Sequence, residues 1–275
     1  MPRVPYTARG DGPPVVLIHG LAGFRESWGA LPDAIAGAGG RALALDLPGF
    51  GGAPAARGPA STERFAGLLA PFLARVGPAA VVGHSLGAQV ALRLAWRAPE
   101  AVRSVALLAP VVVPRRPLPP RSAADALAIP ALGPVAGRAA IALARRDPAR
   151  RRASILSAAG DPSRLRPGSP EDALLAEAAA RLARADLRPF ARWASSALRH
   201  GALVDAALCP VPALVVAGGR DPLVPAAHVG RLMRAMPRAR LLSDPAVGHF
   251  PHIEDAGAVC AAVVGHAVPA REVAR

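Results

Sequence analysis

The chain contains no lysine and no asparagine. All 33 basic residues are therefore arginine, against 19 acidic ones, for a formal net charge of +14. A surplus of that size is the footprint expected of a nucleic-acid binder. Aromatic residues are also scarce, at 4%, and they do not interleave with the arginines as stacking on single strands requires. The arginines run the length of the chain beside abundant alanine, glycine and proline, the pattern of a coding bias. Nucleic acid is therefore not the expected partner.

Cysteine is nearly absent too. Cys209 and Cys260 lie far apart in no metal-ligand spacing, so neither a disulfide scaffold nor a metal site is expected. No apolar run approaches the roughly 20 residues of a membrane helix, which argues against integral membrane contact. The opening residues MPRVPYTARGDG hold no apolar stretch of signal-peptide length, which makes the cytoplasm the expected location. What the chain does have is apolar side chains, 52% of 275 residues. That is enough for one large core, or for a core domain carrying an insertion.

Short apolar runs bounded by turn residues read as buried strands: 15–18, 42–45, 79–82, 102–108 and 213–217, with shorter candidates at 6–9 and 240–242. Helical spacing lies between them, over 28–36, 62–75, 86–97 and 225–236, the second with Ser61 as N-cap. Such alternation predicts a mostly parallel, doubly wound α/β sheet. After Pro110 the rhythm breaks. No convincing strand occurs before about residue 190, while helical patterns fit 135–145, 149–159 and 173–185, the last with Ser169 as N-cap. The expected organisation is a core of residues 1–110 and 191–275 with a helical cap insertion over 111–190. An arginine cluster at 145, 146 and 150–152 reads as a solvated face.

One stretch carries the chemistry. Gly83-His84-Ser85-Leu86-Gly87 follows an apolar strand pattern and opens a helix pattern, so Ser85 should occupy a sharp strand-to-helix turn. The flanking glycines bring no Cβ that could clash across such a turn, and the serine hydroxyl is left exposed above the sheet edge. Serine is a poor nucleophile at neutral pH and needs a base oriented by a third group. In a parallel sheet those partners should lie beyond the carboxyl ends of strands. Asp221 and His249 meet that condition, and Ser–Asp–His is the chain order used with this kind of turn. His252 is a second candidate base. Asp46, Asp244 and Asp255 are weaker candidates for the acid, Asp46 reading instead as the brace of a shaped loop. His84 is expected to point away from the nucleophile, in a role of packing or local hydrogen bonding. The amides of Leu21 and Leu86 are expected to stabilise an oxyanion.

The motifs HGLAG (19–23), DLPGFG (46–51), GHSLG (83–87), GGRDPLVP (218–225) and GHFPHIED (248–255) occur in one order across nearly the whole core. With them the chain resembles an α/β-hydrolase fold enzyme of the capped, esterase-like branch. The resemblance implies Ser85 as nucleophile, His249 as base, Asp221 as its orienter, and Leu21 and Leu86 as oxyanion donors, with no cofactor and no metal. Serine at the elbow argues against the dehalogenase and epoxide-hydrolase relatives, which carry aspartate there. His84, where carbon–carbon bond hydrolases often have asparagine or another polar residue, makes that branch less fitting. The expected reaction is cleavage of a small or medium, mainly apolar carboxylic ester, thioester or lactone. A ligand-binding signalling protein with negligible turnover is the alternative from another class. Around Ser85 the expected substrate contacts are Ala22, Phe24, Val111, Val112, Leu223, Val224 and Phe250, beside the two oxyanion leucines.

Overall fold

The computed structural model describes residues 4–55, 58, 61–114, 135, 142, 146–184 and 187–270. Among the described residues seven strands form one sheet: β1 (Tyr6–Arg9), β2 (Pro14–Ile18), β3 (Arg41–Leu45), β4 (Ala79–His84), β5 (Val102–Leu108), β6 (Ala213–Gly218) and β7 (Arg240–Asp244). Their order is β1-β3-β2-β4-β5-β6-β7. Only the β1–β3 pair is antiparallel; every other pair is parallel. The near-continuous apolar strands follow from burial on both faces. Val16, Ile18, Val81, Val105, Leu107 and Val215 pack on one side. Their strand neighbours Val15, Leu17, Val82, Ala106, Leu108 and Val216 pack on the other. A period of two with no polar face leaves neither side to water.

Helices cover both faces. The helices α1 (Leu31–Gly37), α2 (Thr62–Val76) and α3 (Leu86–Arg97) precede β5. Ser61 caps α2 as its pattern predicts, accepting from the Arg64 amide at 3.1 Å. The helix expected from residue 28 begins later, at Leu31. Gly29 takes φ +57°, a left-handed turn that cannot continue a helix, and Trp28 is buried ahead of it.

Between β5 and β6 the described elements are all helical: α4 (Pro148–Leu156), α5 (Pro170–Arg184), α6 (Leu187–His200) and α7 (Leu203–Ala207). Most of the helix expected over 135–145 lies outside the described residues. Ser169 accepts from the Asp172 amide at the start of α5. Of the arginine cluster, Arg152 pairs with Asp172 at 2.6 Å and joins α4 to α5. Helix α6 runs through residue 190, the expected end of the insertion. It is fastened to the core by Trp193, stacked on Phe65 of α2 with ring centroids 3.7 Å apart. The buried amide of Gln89 on α3 adds to this, donating to the carbonyls of Val111 and Ala197 at 2.5 and 2.8 Å. The chain closes with α8 (Ala226–Ala235), α9 (Pro251–Glu254) and α10 (Ala256–Ala267). Among the described residues no helix is long and apolar enough to cross a membrane.

Candidate active site

Parallel strands place their carboxyl ends along one edge, and the chemistry-bearing loops follow from those ends. His19 leaves β2, Ser85 leaves β4, Asp221 follows β6 and His249 follows β7. The turn at Ser85 is as tight as its glycines require. A Cβ on Gly83 would lie 2.4 Å from the Gly87 carbonyl oxygen, and one on Gly87 would lie 2.0 Å from the Ile18 carbonyl oxygen. Neither leaves room for any other residue. Ser85 itself is held at φ 54° and ψ −112°, a conformation costing roughly 1–3 kcal/mol for a residue with a Cβ. Its amide donates to the Leu108 carbonyl at 2.9 Å, tying the elbow to β5.

Three side chains meet there. The Ser85 hydroxyl lies 2.9 Å from His249 Nε2 and can donate to it, while His249 Nδ1 lies 2.8 Å from Asp221 Oδ2. The other carboxylate oxygen of Asp221 accepts from the amides of Leu223 and Val224 at 2.7 and 3.0 Å. With Asp221 acceptor-only, the imidazole proton belongs on Nδ1, which leaves Nε2 free to take a proton from the serine. Such a chain can activate a hydroxyl for attack on a carbonyl. Beside it, Gly20 packs so closely that a Cβ would meet Ser85 Cβ at 3.0 Å, bringing the backbone before Leu21 against the serine. Among the described residues, neither the Leu21 nor the Leu86 amide donates to a backbone carbonyl outside the regular helices and strands.

Two further loops are pinned by buried polar groups. Leu47 N–H donates to His19 Nε2 at 3.0 Å, so the proton sits on Nδ1, which donates to the Gly20 carbonyl at 2.7 Å. Asp46 accepts from the Arg25 and Gly52 amides and pairs with the Arg25 guanidinium at 3.0 Å. It therefore braces the DLPGFG loop, in keeping with its sequence reading.

The other histidines are closer to the site than the sequence suggests. His84 does not point away: its Nε2 donates to the His249 carbonyl at 2.7 Å, and its ring lines the cavity over Ser85. His252 packs against His84 and Trp28, with ring centroids 4.7 and 5.2 Å apart, and makes no contact with Asp221 like that of His249. Burial pushes the pKa of all three down. His19 falls to about 4, the Gly20 carbonyl and Asp46 offsetting only part of the desolvation. His252 falls to about 3, offset in part by the Ser27 backbone. His84 falls well below the ordinary value, with His252 and His249 adding to the effect of burial.

These depressed values fix the sign of a stability prediction. Below about 6.5 the unfolded chain binds protons at these histidines while the native state does not, so stability falls with pH. The loss should begin near pH 6.5 and continue toward pH 3–4, where the folded forms of His252 and His19 finally titrate. Between pH 7 and 5.5, above the carboxylate range, the free energy of unfolding should already drop by an amount on the order of 1 kcal/mol or more, lowering the denaturation midpoint. A midpoint constant over that interval would contradict it.

A cavity of about 270 Å³ opens over the serine. Of the residues expected around the substrate, Leu21, Ala22, Leu86, Val111, Leu223 and Phe250 line it. Phe24, Val112 and Val224 are not among its lining residues. Phe24 is buried under the Arg181 guanidinium, 4.0 Å from its ring. Val112 points into the core beneath α6, and Val224 packs with Val111 and Leu198. The sequence reading did not foresee the lining from the helical segment: Ile155, Ala158, Leu174, Leu175, Ala178 and Leu198. Helical spacing showed that these helices have apolar faces, but not which face meets the sheet. Among the described residues no arginine, aspartate or glutamate lines the cavity, and no cluster of His, Cys, Asp or Glu could hold a metal ion.

Residues 13–256 match the family model for the alpha/beta hydrolase fold. The chain belongs to that family. It is 32% identical over 255 residues to a pimeloyl-[acyl-carrier protein] methyl ester esterase of Neisseria meningitidis, covering 90% of each chain. It is 42% identical over 112 residues to the dihydrolipoyllysine-residue acetyltransferase component of an acetoin cleaving system from Cupriavidus necator, covering 40% of this chain and 30% of that one. The chain thus spans well under two thirds of the second relative. Among solved structures, a bromoperoxidase from Bacillus anthracis superposes with a TM-score of 0.80 at 20% identity, covering 95% of this chain and 94% of that one. At that identity the likeness speaks to the fold.

Proposed function

We propose that the protein is a cofactor-independent serine hydrolase that cleaves a small or medium, mainly apolar carboxylic ester, thioester or lactone through an acyl-enzyme. The observation that carries this reading is the unbroken contact chain from Ser85 Oγ through His249 to Asp221, at 2.9 and 2.8 Å. Ser85 attacks the carbonyl while His249 takes its proton. The amides of Leu21 and Leu86 receive the developing oxyanion, each such donor being worth roughly 10²–10³ in turnover. His249 then gives its proton to the leaving group, and water releases the acyl chain by the same route. In this reading the helices between β5 and β6 act as a cap that shapes the acyl site. The esterase relative supports the bond type; the identity of the acid and alcohol rests on the cavity.

That cavity favours an uncharged acyl group. Among the described residues its polar side chains are those of Ser27, Ser85 and three histidines, the rest of the side-chain lining being apolar. Each methylene moved from water onto such a lining contributes about 0.8 kcal/mol. Labelling with a fluorophosphonate should modify Ser85 stoichiometrically. On a panel of p-nitrophenyl esters, kcat/KM should rise from acetate to butyrate or hexanoate and then fall as the cavity fills. A steady fall from acetate onward would mean a small polar pocket and end the apolar-acyl reading. Tight ligand binding with neither labelling nor turnover would end the enzymatic one.

A further inference from the structure

We propose that Glu254 is a positioning residue that fastens the cap segment 158–160 to the His249 loop, so that an acyl group pressing on the cap is felt at the base. The inference rests on the reading of His249 as base and deepens it. Glu254 ends α9 and is only 7% exposed. One carboxylate oxygen accepts from the amides of Gly160 and Gly248 at 2.8 and 2.9 Å, and the other accepts from the Phe250 amide at 3.0 Å. Among the described residues no cation forms an ion pair with it. A buried carboxylate without a counter-ion persists only where hydrogen bonds replace its hydration. Here three amides do so, two from the His249 loop and one from the cap.

The tie continues through His249 itself. Its amide donates to the Ala158 carbonyl at 2.7 Å, and its carbonyl accepts from His84 at 2.7 Å. Residues 248, 249 and 250 are thus all held by groups outside their own loop. Glycines let the two segments touch: a Cβ on Gly248 would lie 2.2 Å from the Gly160 nitrogen. Ala158, whose carbonyl holds His249, also lines the cavity, as does Ile155 one turn earlier. An acyl chain long enough to meet Ile155 and Ala158 therefore presses on the segment that Glu254 clamps to the base. In this proposal a shorter chain stops short of that segment. A brace with a folding role alone would act equally on every substrate.

Glu254→Gln is nearly isosteric but can accept at one end only, and it turns an NH₂ group toward an amide at the other. Amide hydrogen exchange provides a measurement independent of activity. Residues 158–160 and 248–250 should exchange about tenfold faster in the variant, as loss of one or two net hydrogen bonds implies, with β4 and α3 unchanged. In turnover, kcat for butyrate and hexanoate esters should fall about tenfold, as misplacement of a reacting group does. Acetate should lose little, and KM should change by no more than about twofold. Unchanged exchange, loosening of 248–250 alone, or an equal loss of kcat for all three esters would overturn the proposal. Should the variant fail to fold, the wild-type protein carries the test. A hexylphosphonate adduct on Ser85 should slow exchange at 248–250 more than a methylphosphonate adduct, and equal exchange would overturn the proposal. Absence of any adduct on the wild-type serine would refute the hydrolase reading, and the exchange of Glu254→Gln would still report on the tie.

Discussion

Replacing Ser85 with alanine is expected to lower ester turnover by about 10⁶-fold, leaving what the oxyanion amides and binding supply. The size of the effect follows from the absence of a substitute at the elbow. The Ser85 hydroxyl is the one that meets His249 Nε2. Among the described residues the other serine hydroxyl lining the cavity, on Ser27, is engaged with the Phe24 carbonyl at 2.6 Å. Alanine keeps a Cβ at the same strained φ of 54°, so the backbone cost of the turn is the same in both proteins. One hydrogen bond at the cavity wall is lost, worth roughly 0.5–1.5 kcal/mol. Turnover should therefore collapse while the denaturation midpoint moves little, and KM for any residual activity should stay near that of the parent. Turnover within tenfold of the parent would place the nucleophile elsewhere.

The elbow was legible because its constraint is local. Gly83 and Gly87 are required by contacts within one turn and with the neighbouring β2, and a pentapeptide between a strand pattern and a helix pattern carries that information. Strands were legible for a related reason: burial on both faces strips them of polar residues, leaving unbroken apolar runs. The long-range meeting of Asp221 with His249 was readable only through chain order and strand ends, since nothing near either residue names its partner. Where packing between layers decides, the sequence said less. The spacing around Trp28 fits a helix, yet Gly29 bends the chain and Trp28 becomes a buried wedge against His252. Phe24, Val112 and Val224 stand close in sequence to lining residues but are turned into other packing by Arg181, α6 and Leu198. His84 does pack and hydrogen-bond as its position suggests, but its direction was not legible because it depends on the His249 carbonyl, which arrives from a loop 165 residues away. Glu254 stood in a motif that was readable as a whole, but its three amide partners belong to two different segments.

Replacing Asp221 with asparagine is expected to reduce turnover by about 10⁴ with the fold retained. The argument turns on which way the new amide must face. Oδ1 of Asp221 accepts from two backbone donors, the amides of Leu223 and Val224, and its side chain is fully buried. Only a carbonyl oxygen satisfies those donors, so the asparagine must place its oxygen there and its NH₂ toward His249 Nδ1. That NH₂ donates, which obliges Nδ1 to accept and moves the imidazole proton to Nε2. Nε2 then faces the Ser85 hydroxyl as a donor and cannot take its proton. The geometry survives while the tautomer is wrong, so activity falls far more than stability. Asp244→Asn and Asp46→Asn are the matched controls. Asp244 is partly exposed and pairs with Arg164, and Asp46 braces a loop through the Arg25 and Gly52 amides; neither touches His249. Asp244→Asn should leave turnover nearly unchanged, and any loss in Asp46→Asn should be matched by a lower denaturation midpoint. A larger loss in either control at unchanged midpoint, or near-normal turnover in Asp221→Asn, would remove Asp221 from the role of orienting His249.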